Sequence, residues 1–258
     1  MKAALAVPQL SAEVHENLQK IREFVLQAAS HGADLILFPE AVLTGLVNCD
    51  DPAHDLLLGI EIPGPLTHEW AKLSKQTGLI MGLGVLEREG QTLYDAALLI
   101  TPDQGIVLHY RRITPGWHGP KADPHVYRQG THIHTAHTHW GTFAFLICGD
   151  LFDDRLVTEI REKKPDFLLV PMARAFPEGS WDPKQWDQEK PFYIQQAKKA
   201  GAMTLITNYL ADESLGEDRS FGGAMSVLPD GTLFAEYPIG QEGMLVVSLE
   251  KPWREEKP

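Results

Sequence analysis

The order of elements in the chain predicts an α/β fold, and three observations carry that reading. Short apolar runs of β type alternate with segments whose apolar residues step by three and four, as on one face of a helix. The run Ala33 to Phe38 and its echo Phe167 to Val170 are apolar on both faces, as strands buried between two layers would be. The second half of the chain then repeats the grammar of the first. Two sheets packed face to face, with helices outside, would bury such strands on both sides.

Taken in order, Ser11 opens a helix in which Val14, Leu18, Ile21, Val25 and Ala28 share one face, and His31-Gly32 supplies the stop. Ala33 to Phe38 follows as a strand. Pro65 starts a second helix with Leu66, Trp70 and Leu73 on one side, ended by Gly78, and Leu79 to Leu86 is the next strand. Tyr94 to Tyr110 holds two strands joined by the turn Pro102-Asp-Gln-Gly105. Beyond the strand Thr142 to Cys148, a helix starts near Asp153. Asp166-Phe-Leu-Leu-Val-Pro171 then echoes Asp34-Leu-Ile-Leu-Phe-Pro39, and Gly201 leads a strand as Gly78 does. Pro229-Asp-Gly231 closes a second hairpin. The pattern implies one duplicated domain over residues 1–250 with internal pseudo-twofold symmetry, and a C-terminal tail over 251–258.

The 258 residues are 43% hydrophobic, enough for a sizeable core. With 23 Lys and Arg against 35 Asp and Glu, the net charge of −12 argues against nucleic acid or an anionic membrane surface as partner. The two cysteines, Cys49 and Cys148, lack C-x-x-C spacing, which speaks against a disulfide framework and a cysteine-based zinc site. Pro8 and then charge interrupt the N-terminal run, and no apolar run approaches the ~20 residues of a membrane span. These readings place the protein in the cytoplasm.

Two residues stand where chemistry could occur. Cys148 ends an apolar strand and is followed by Gly149-Asp150 and a helix start. A side chain there projects toward the crevice where α/β proteins bind ligands, and a helix N-terminus and a nearby base would make its thiolate available. An isolated cysteine is more often a small buried hydrophobe. Glu40 ends the other prominent strand behind Pro39, where apolar walls would suit a general base, although a lone glutamate after a strand is ordinarily solvated. Polar groups at matching strand ends of two half-domains point to a joint Cys–Glu site.

At these positions the sequence resembles the nitrilase superfamily of carbon–nitrogen hydrolases. Asp34 to Glu40 matches the family's D-L-apolar-apolar-F-P-E element, and Leu146-Ile-Cys-Gly-Asp150 its apolar-I-C-x-D element. Tyr110-Arg-Arg112 falls where the family has Y-R-K, and Tyr127-Arg-Gln-Gly130 resembles its F-x-P-G. Phe221-Gly-Gly-Ala-Met-Ser226 and Pro229-Asp-Gly231 match its later G-x-S and P-x-G elements. The match runs from Lys2 to Leu249.

The resemblance implies a four-layer αββα sandwich and a cofactor-free, metal-free hydrolase with a Cys-Glu-Lys triad. In it Cys148 is the nucleophile and Glu40 the general base, and Arg112 takes the place of the lysine. The substrate is a small amide or nitrile. An amidase is favoured over a nitrilase because the superfamily mostly cleaves amides. The resemblance also implies a homodimer or larger homo-oligomer. The Gly149 N–H would be an oxyanion donor beside Arg112.

Three departures follow. Arginine keeps the positive charge but is bulkier and does not release its proton near neutral pH, so Lys121 in the next loop is a candidate replacement for the family lysine. Asp123 stands where many members have a second glutamate, and the alternative there is an Asp-Pro turn at Asp123-Pro124. Phe152-Asp-Asp154 replaces aromatic-Pro-Glu, so an aspartate should cap the following helix. The opposing functional reading is a nitrilase-fold protein impaired by Arg112 that serves as a small-molecule binding or interaction module.

Seven of the eleven histidines lie between His109 and His139. The pairs His132/His134 and His137/His139 have period-two spacing but no acidic or cysteine partner in the motif, so a solvated edge strand or subunit surface is preferred to a metal site. Loops 46–58, 116–126 and 174–188 are expected to wall the pocket, with Trp181 and Trp186 in the last of them.

Overall fold

A computed structural model describes residues 1–176, 182–216 and 220–249. The first half runs β1 (Lys2–Val7), the short β2 (Gln9–Leu10), α1 (Val14–Ser30), β3 (Leu35–Leu37), the single-turn α2 (Pro52–Asp55), α3 (Pro65–Thr77), β4 (Ile80–Glu89), β5 (Thr92–Thr101) and β6 (Gly105–Arg111). The second half runs β7 (Thr135–Thr138), β8 (Gly141–Phe145), a 3₁₀ turn (Cys148–Phe152), α4 (Asp154–Lys163), β9 (Phe167–Met172), α5 (Pro183–Ala200), β10 (Met203–Asn208), the short β11 (Leu210–Ala211), β12 (Gly222–Val227), β13 (Leu233–Ile239) and β14 (Gly243–Ser248).

These strands form two six-stranded sheets, ordered β14-β1-β3-β4-β5-β6 and β7-β8-β9-β10-β12-β13. In both, successive pairs run antiparallel, parallel, parallel, antiparallel, antiparallel. The repeat legible in sequence is therefore a repeat of topology. Parallel neighbours require crossovers, and α1, α3, α4 and α5 supply them. The two sheets touch through β1 against β10 and β12, and through β4 against β9.

β3 shows why its sequence is apolar on both faces. Leu35 and Leu37 pack into a cluster with Phe145 and Leu169 of the second sheet, whereas Ile36 and Phe38 pack with Phe24 of α1 and Trp70 of α3. Strand alternation thus gives each face its own core. Leu156, Val157 and Ile160 of α4 and Tyr193 and Ala197 of α5 join the cluster that holds the second sheet. The sheets are flanked by helices.

The helix ends obey local chemistry. Gly78 stops α3 in the left-handed region at φ 75°, which a residue with a side chain disfavours. Asp153 caps α4 by accepting from the Arg155 N–H, as the departure from aromatic-Pro-Glu predicts. Two expectations change. In α1 the N-cap is Glu13, Val14 is exposed, and Phe24 and Asn17 join the buried face. Asn17 is tolerated there because its amide bonds the Ser11 and Leu43 carbonyls. The pocket wall expected as a loop over 174–188 becomes α5 from Pro183, capped by the Asp182 carboxylate on Lys184 N–H. Trp181 and the tail 251–258 lie outside the described residues.

His132, His134, His137 and His139 are exposed along β7, an edge strand, and its approach. Among the described residues no helix is long and apolar enough to cross a membrane.

Candidate active site

β3 delivers Glu40 to its position through a turn that only a glycine on the neighbouring strand allows. A Cβ at Gly84 of β4 would come 2.5 Å from Glu40 Cα and 2.6 Å from the Pro39 carbonyl. Without it, Gly84 N–H donates to Pro39 O at 3.1 Å and Val42 N–H to Gly84 O at 2.9 Å. Ala41 is held at φ 46°, a strained value for a residue with a side chain. Glu40 is fully buried, and both of its oxygens are occupied. Oε1 accepts from Arg112 Nη1 at 2.9 Å, and Oε2 accepts from the Ala173 N–H, just past β9, at 2.7 Å.

Arg112 follows β6 and is also buried. Its backbone N–H donates to the Asp95 carbonyl at 2.8 Å and its carbonyl accepts from Gly130 N–H at 2.8 Å, which fixes the side chain's origin. Nη1 also lies 3.3 Å from Asp95 Oδ2, and Nε donates to Thr114 Oγ1 at 3.3 Å. Burial opposes the guanidinium charge, but Glu40 and the other acidic groups around it outweigh that effect, so Arg112 is held more firmly protonated than in water.

Cys148 begins the 3₁₀ turn at φ 44°, a bend that aims its side chain into a cavity instead of back into the sheet. Ala173, whose N–H serves Glu40, lines the same cavity as Cys148, so carboxylate and thiol lie on either side of that residue. Burial, then the Glu40 charge, push the thiol up to about 12, against the opposing pull of Arg112. The resting sulfur is therefore a thiol. Asp150, two residues on, fastens this turn. Its carboxylate accepts from Tyr110 Oη at 2.6 Å, Thr114 N–H at 2.7 Å, and Ile113 and Ile147 N–H at 3.2 Å each. The Y-R-R and I-C-G-D motifs, far apart in sequence, thus hold each other.

The cavity above Cys148 measures about 490 Å³. Cys148, Gly149 and Arg112 form part of its floor; Leu46, Gly116, Phe152, Ala173, Arg174, Glu189, Phe192 and Tyr193 complete the lining. The three loops expected to wall it contribute Leu46, Gly116 and Arg174, and α5 adds the last three residues. Arg174 donates to Glu189 at 3.0 Å and to Tyr193 Oη at 3.1 Å, so the wall carries a paired charge.

The structure brings Cys148, Glu40, Arg112 and Gly149 together and leaves two candidates outside. Lys121 is exposed and does not line the cavity. Asp123 is exposed as well. Its carboxylate accepts from the His125 N–H at 2.9 Å and its carbonyl from Val126 and Tyr127, so the Asp-Pro turn is the reading that holds. Asp95 was missed, although it is the one carboxylate within the apolar run Leu93 to Ile100. Cys49 belongs to another cluster. Its sulfur lies 3.6 Å from both His54 Nδ1 and Asp55 Oδ1, and Asp55 ties loop 46–58 together by accepting from Tyr127 Oη at 2.6 Å and from the Cys49 and Asp50 N–H groups.

With this geometry in place, comparison with known proteins is informative. The family model described as "Carbon-nitrogen hydrolase" matches residues 2–255. An aliphatic nitrilase of Sinorhizobium fredii is 30% identical over 176 residues, 62% of this chain and 56% of the relative, so the chain spans little more than half of that relative's length. A deaminated glutathione amidase of Mus musculus is 26% identical over 87% of this chain and 70% of its own. A mutant amidase from Nesterenkonia sp. AN1, solved with the acetamide moiety of fluoroacetamide covalently added at its active-site cysteine, shares the fold. Its TM-score is 0.79 at 19% identity, over 96% of this chain and 90% of that one.

Proposed function

The chain belongs to the carbon–nitrogen hydrolase family, and from that premise we propose that it is an amidase acting through a thioester on Cys148. The observation that carries the reading is that the buried Glu40 carboxylate bonds the Arg112 guanidinium and the Ala173 N–H, two residues that line the same cavity as Cys148. The amidase whose active-site cysteine was captured with a covalent acetamide moiety supports the same chemistry by analogy.

In this mechanism Glu40 takes the Cys148 proton as the sulfur attacks the amide carbon. Charge then develops on the carbonyl oxygen, where the Gly149 N–H and the Arg112 guanidinium receive it. Glu40 returns its proton to the departing nitrogen, and ammonia or an amine leaves. Water enters and attacks the thioester as Glu40 removes its proton; the C–S bond breaks, the acid leaves, and Glu40 returns the proton to the Cys148 sulfur. The raised thiol value makes a base necessary, because little thiolate exists at neutral pH until Glu40 acts. Lys121 and Asp123 have no part in these steps.

Incubation with a panel of small amides and nitriles tests the proposal. Ammonia should be released from amides, and an acyl adduct should appear on Cys148 by intact mass. Turnover unaffected by Cys148→Ala would exclude the mechanism. The second reading, a binding module, draws on the occupation of Arg112 Nη1 by two carboxyl groups. It is favoured if no substrate turns over and Arg112→Lys creates activity.

A further inference from the structure

We propose that Asp95 carries a proton in the working site, so that Arg112 is in direct contact with a single anion at every stage. The inference rests first on geometry. Arg112 Nη1 sits between Glu40 Oε1 at 2.9 Å and Asp95 Oδ2 at 3.3 Å, and all three side chains are buried. Two carboxylates around one guanidinium would bury a net negative charge, which a low-dielectric interior resists.

Hydrogen bonding points the same way. Asp150, the neighbouring buried aspartate, has four donors and is satisfied as a carboxylate. Asp95 Oδ1 is enclosed and receives no hydrogen bond. Its other oxygen has one long contact, to Arg112 Nη1 at 3.3 Å, which leaves the carboxyl short of the donors that a buried carboxylate requires. The groups that bear on Asp95 are Glu40 after β3, Tyr110 of β6 and Arg112 after it, and Asp150 and Cys148 of the 3₁₀ turn. Burial, then Glu40, raise the Asp95 carboxyl well above the usual range, and Arg112 alone among the cited neighbours opposes them.

The consequence for catalysis rests on the amidase reading. With Asp95 neutral, the groups in direct contact carry two charges at rest, Glu40 minus and Arg112 plus, while the Asp150 carboxylate keeps its own four donors throughout. Transfer of the Cys148 proton to Glu40 moves the minus charge to sulfur, and attack moves it to the carbonyl oxygen. Collapse onto the departing nitrogen, which takes the Glu40 proton, leaves Glu40 ionised again. One anion is in direct contact with Arg112 throughout. An ionised Asp95 would be a second, permanent counter-anion. It would compete with the oxyanion for the guanidinium and hold the thiol proton more tightly. Asp95 acts through Arg112 and Glu40, so it is a positioning residue.

Infrared spectroscopy of the intact protein labelled with carboxyl-¹³C aspartate tests protonation without any substrate. The expected result at neutral pH is a label-shifted un-ionised carboxyl band that Asp95→Asn removes. Absence of that band from the unsubstituted protein overturns the proposal, even if the variant fails to fold. A second readout is alkylation of Cys148 by iodoacetamide in a Cys49→Ser background. Replacing a neutral acid by a neutral amide should leave the rate within about threefold, whereas a rise of about tenfold or more would show that a negative charge was removed. Both readouts are independent of turnover, so failure of the amidase reading leaves them intact.

Discussion

A guanidinium is larger than the ammonium that the family resemblance places beside Cys148, and the room for it lies at Gly149. A Cβ built there would collide with Arg112 Nη2 and approach Thr114 Oγ1 to 3.2 Å. The departure at residue 112 and the glycine at 149 therefore form one adaptation. On the proposed mechanism, in which Arg112 receives the oxyanion, Gly149→Ala should displace the guanidinium and lower kcat by ~10²–10³, with the melting temperature little changed, because the effect is the loss of one oxyanion donor. A stopped assay beside a thermal melt checks this. Arg112→Lys should also lose activity, by about tenfold or more, since one ammonium cannot keep the fork that reaches Glu40, Asp95 and Thr114. The thiol adds a pH signature. Because its folded value lies above the ordinary one near 8.5, the neutral form is favoured by folding. That contribution is complete below the unfolded value and is lost as pH rises toward about 12. Alkylation of Cys148 in the ligand-free protein should therefore keep climbing through pH ~10 without a plateau, and a plateau near pH ~8 would contradict the buried environment.

At the scale of elements, the turn from β8 into α4 depends on contacts that no local pattern announces. Asp150 joins it to the chain after β6 by accepting four hydrogen bonds, three of them from backbone N–H groups. Asp150→Asn places an amide N–H₂ against donors, and the cost should be about 3–5 kcal/mol, as for breaking a buried charged network. For a chain of this size that corresponds to a melting temperature lower by roughly 6–20 °C. Calorimetry measures it, and a shift within error would mean the turn holds itself. The same turn explains what was legible in the sequence. Cys148 and Glu40 could be found because strand ends and motif spacing are local. Arg112 could be found because it is fixed by register from the Y-R element. Lys121 and Asp123 were placed by counting along a loop, and spacing gives no direction there. The Asp-Pro turn claimed the carboxylate of Asp123. Asp95 could have been suspected as a lone charge in an apolar strand, but its partners lie 55 and 17 positions away, at Glu40 and Arg112, a pairing that only the tertiary fold makes.

The whole molecule is built from two sheets of one topology, and this revises how the site relates to the repeat. β3 corresponds to β9 and β1 to β8 in strand order, so the counterpart of the Glu40 turn is the segment after β9, while Cys148 ends the equivalent of β1. The hydrogen bond from Ala173 N–H to Glu40 joins the two equivalent strand ends across the sheets. The repeat also makes the last strand structurally necessary to the first half. β14 completes the first sheet as β7 completes the second, pairing with β1 from Lys2↔Ser248 to Val7↔Gly243. β1 in turn is wholly buried from Ala3 to Val7, and Ala6 accepts a hydrogen bond from Thr207 Oγ1 of the other sheet. Ending the chain after Gly240 would remove about six backbone hydrogen bonds, at ~0.5–1.5 kcal/mol each, and uncover an apolar edge. That loss, roughly 3–9 kcal/mol, is comparable with the total of about 5–15 kcal/mol that holds a domain together. The truncated chain should lose its cooperative melt and aggregate through β1, as read by calorimetry and light scattering. A truncated chain that melts cooperatively and still alkylates at Cys148 like the full chain would show that the β1 edge needs no partner and that the two halves are stabilised by their mutual packing alone.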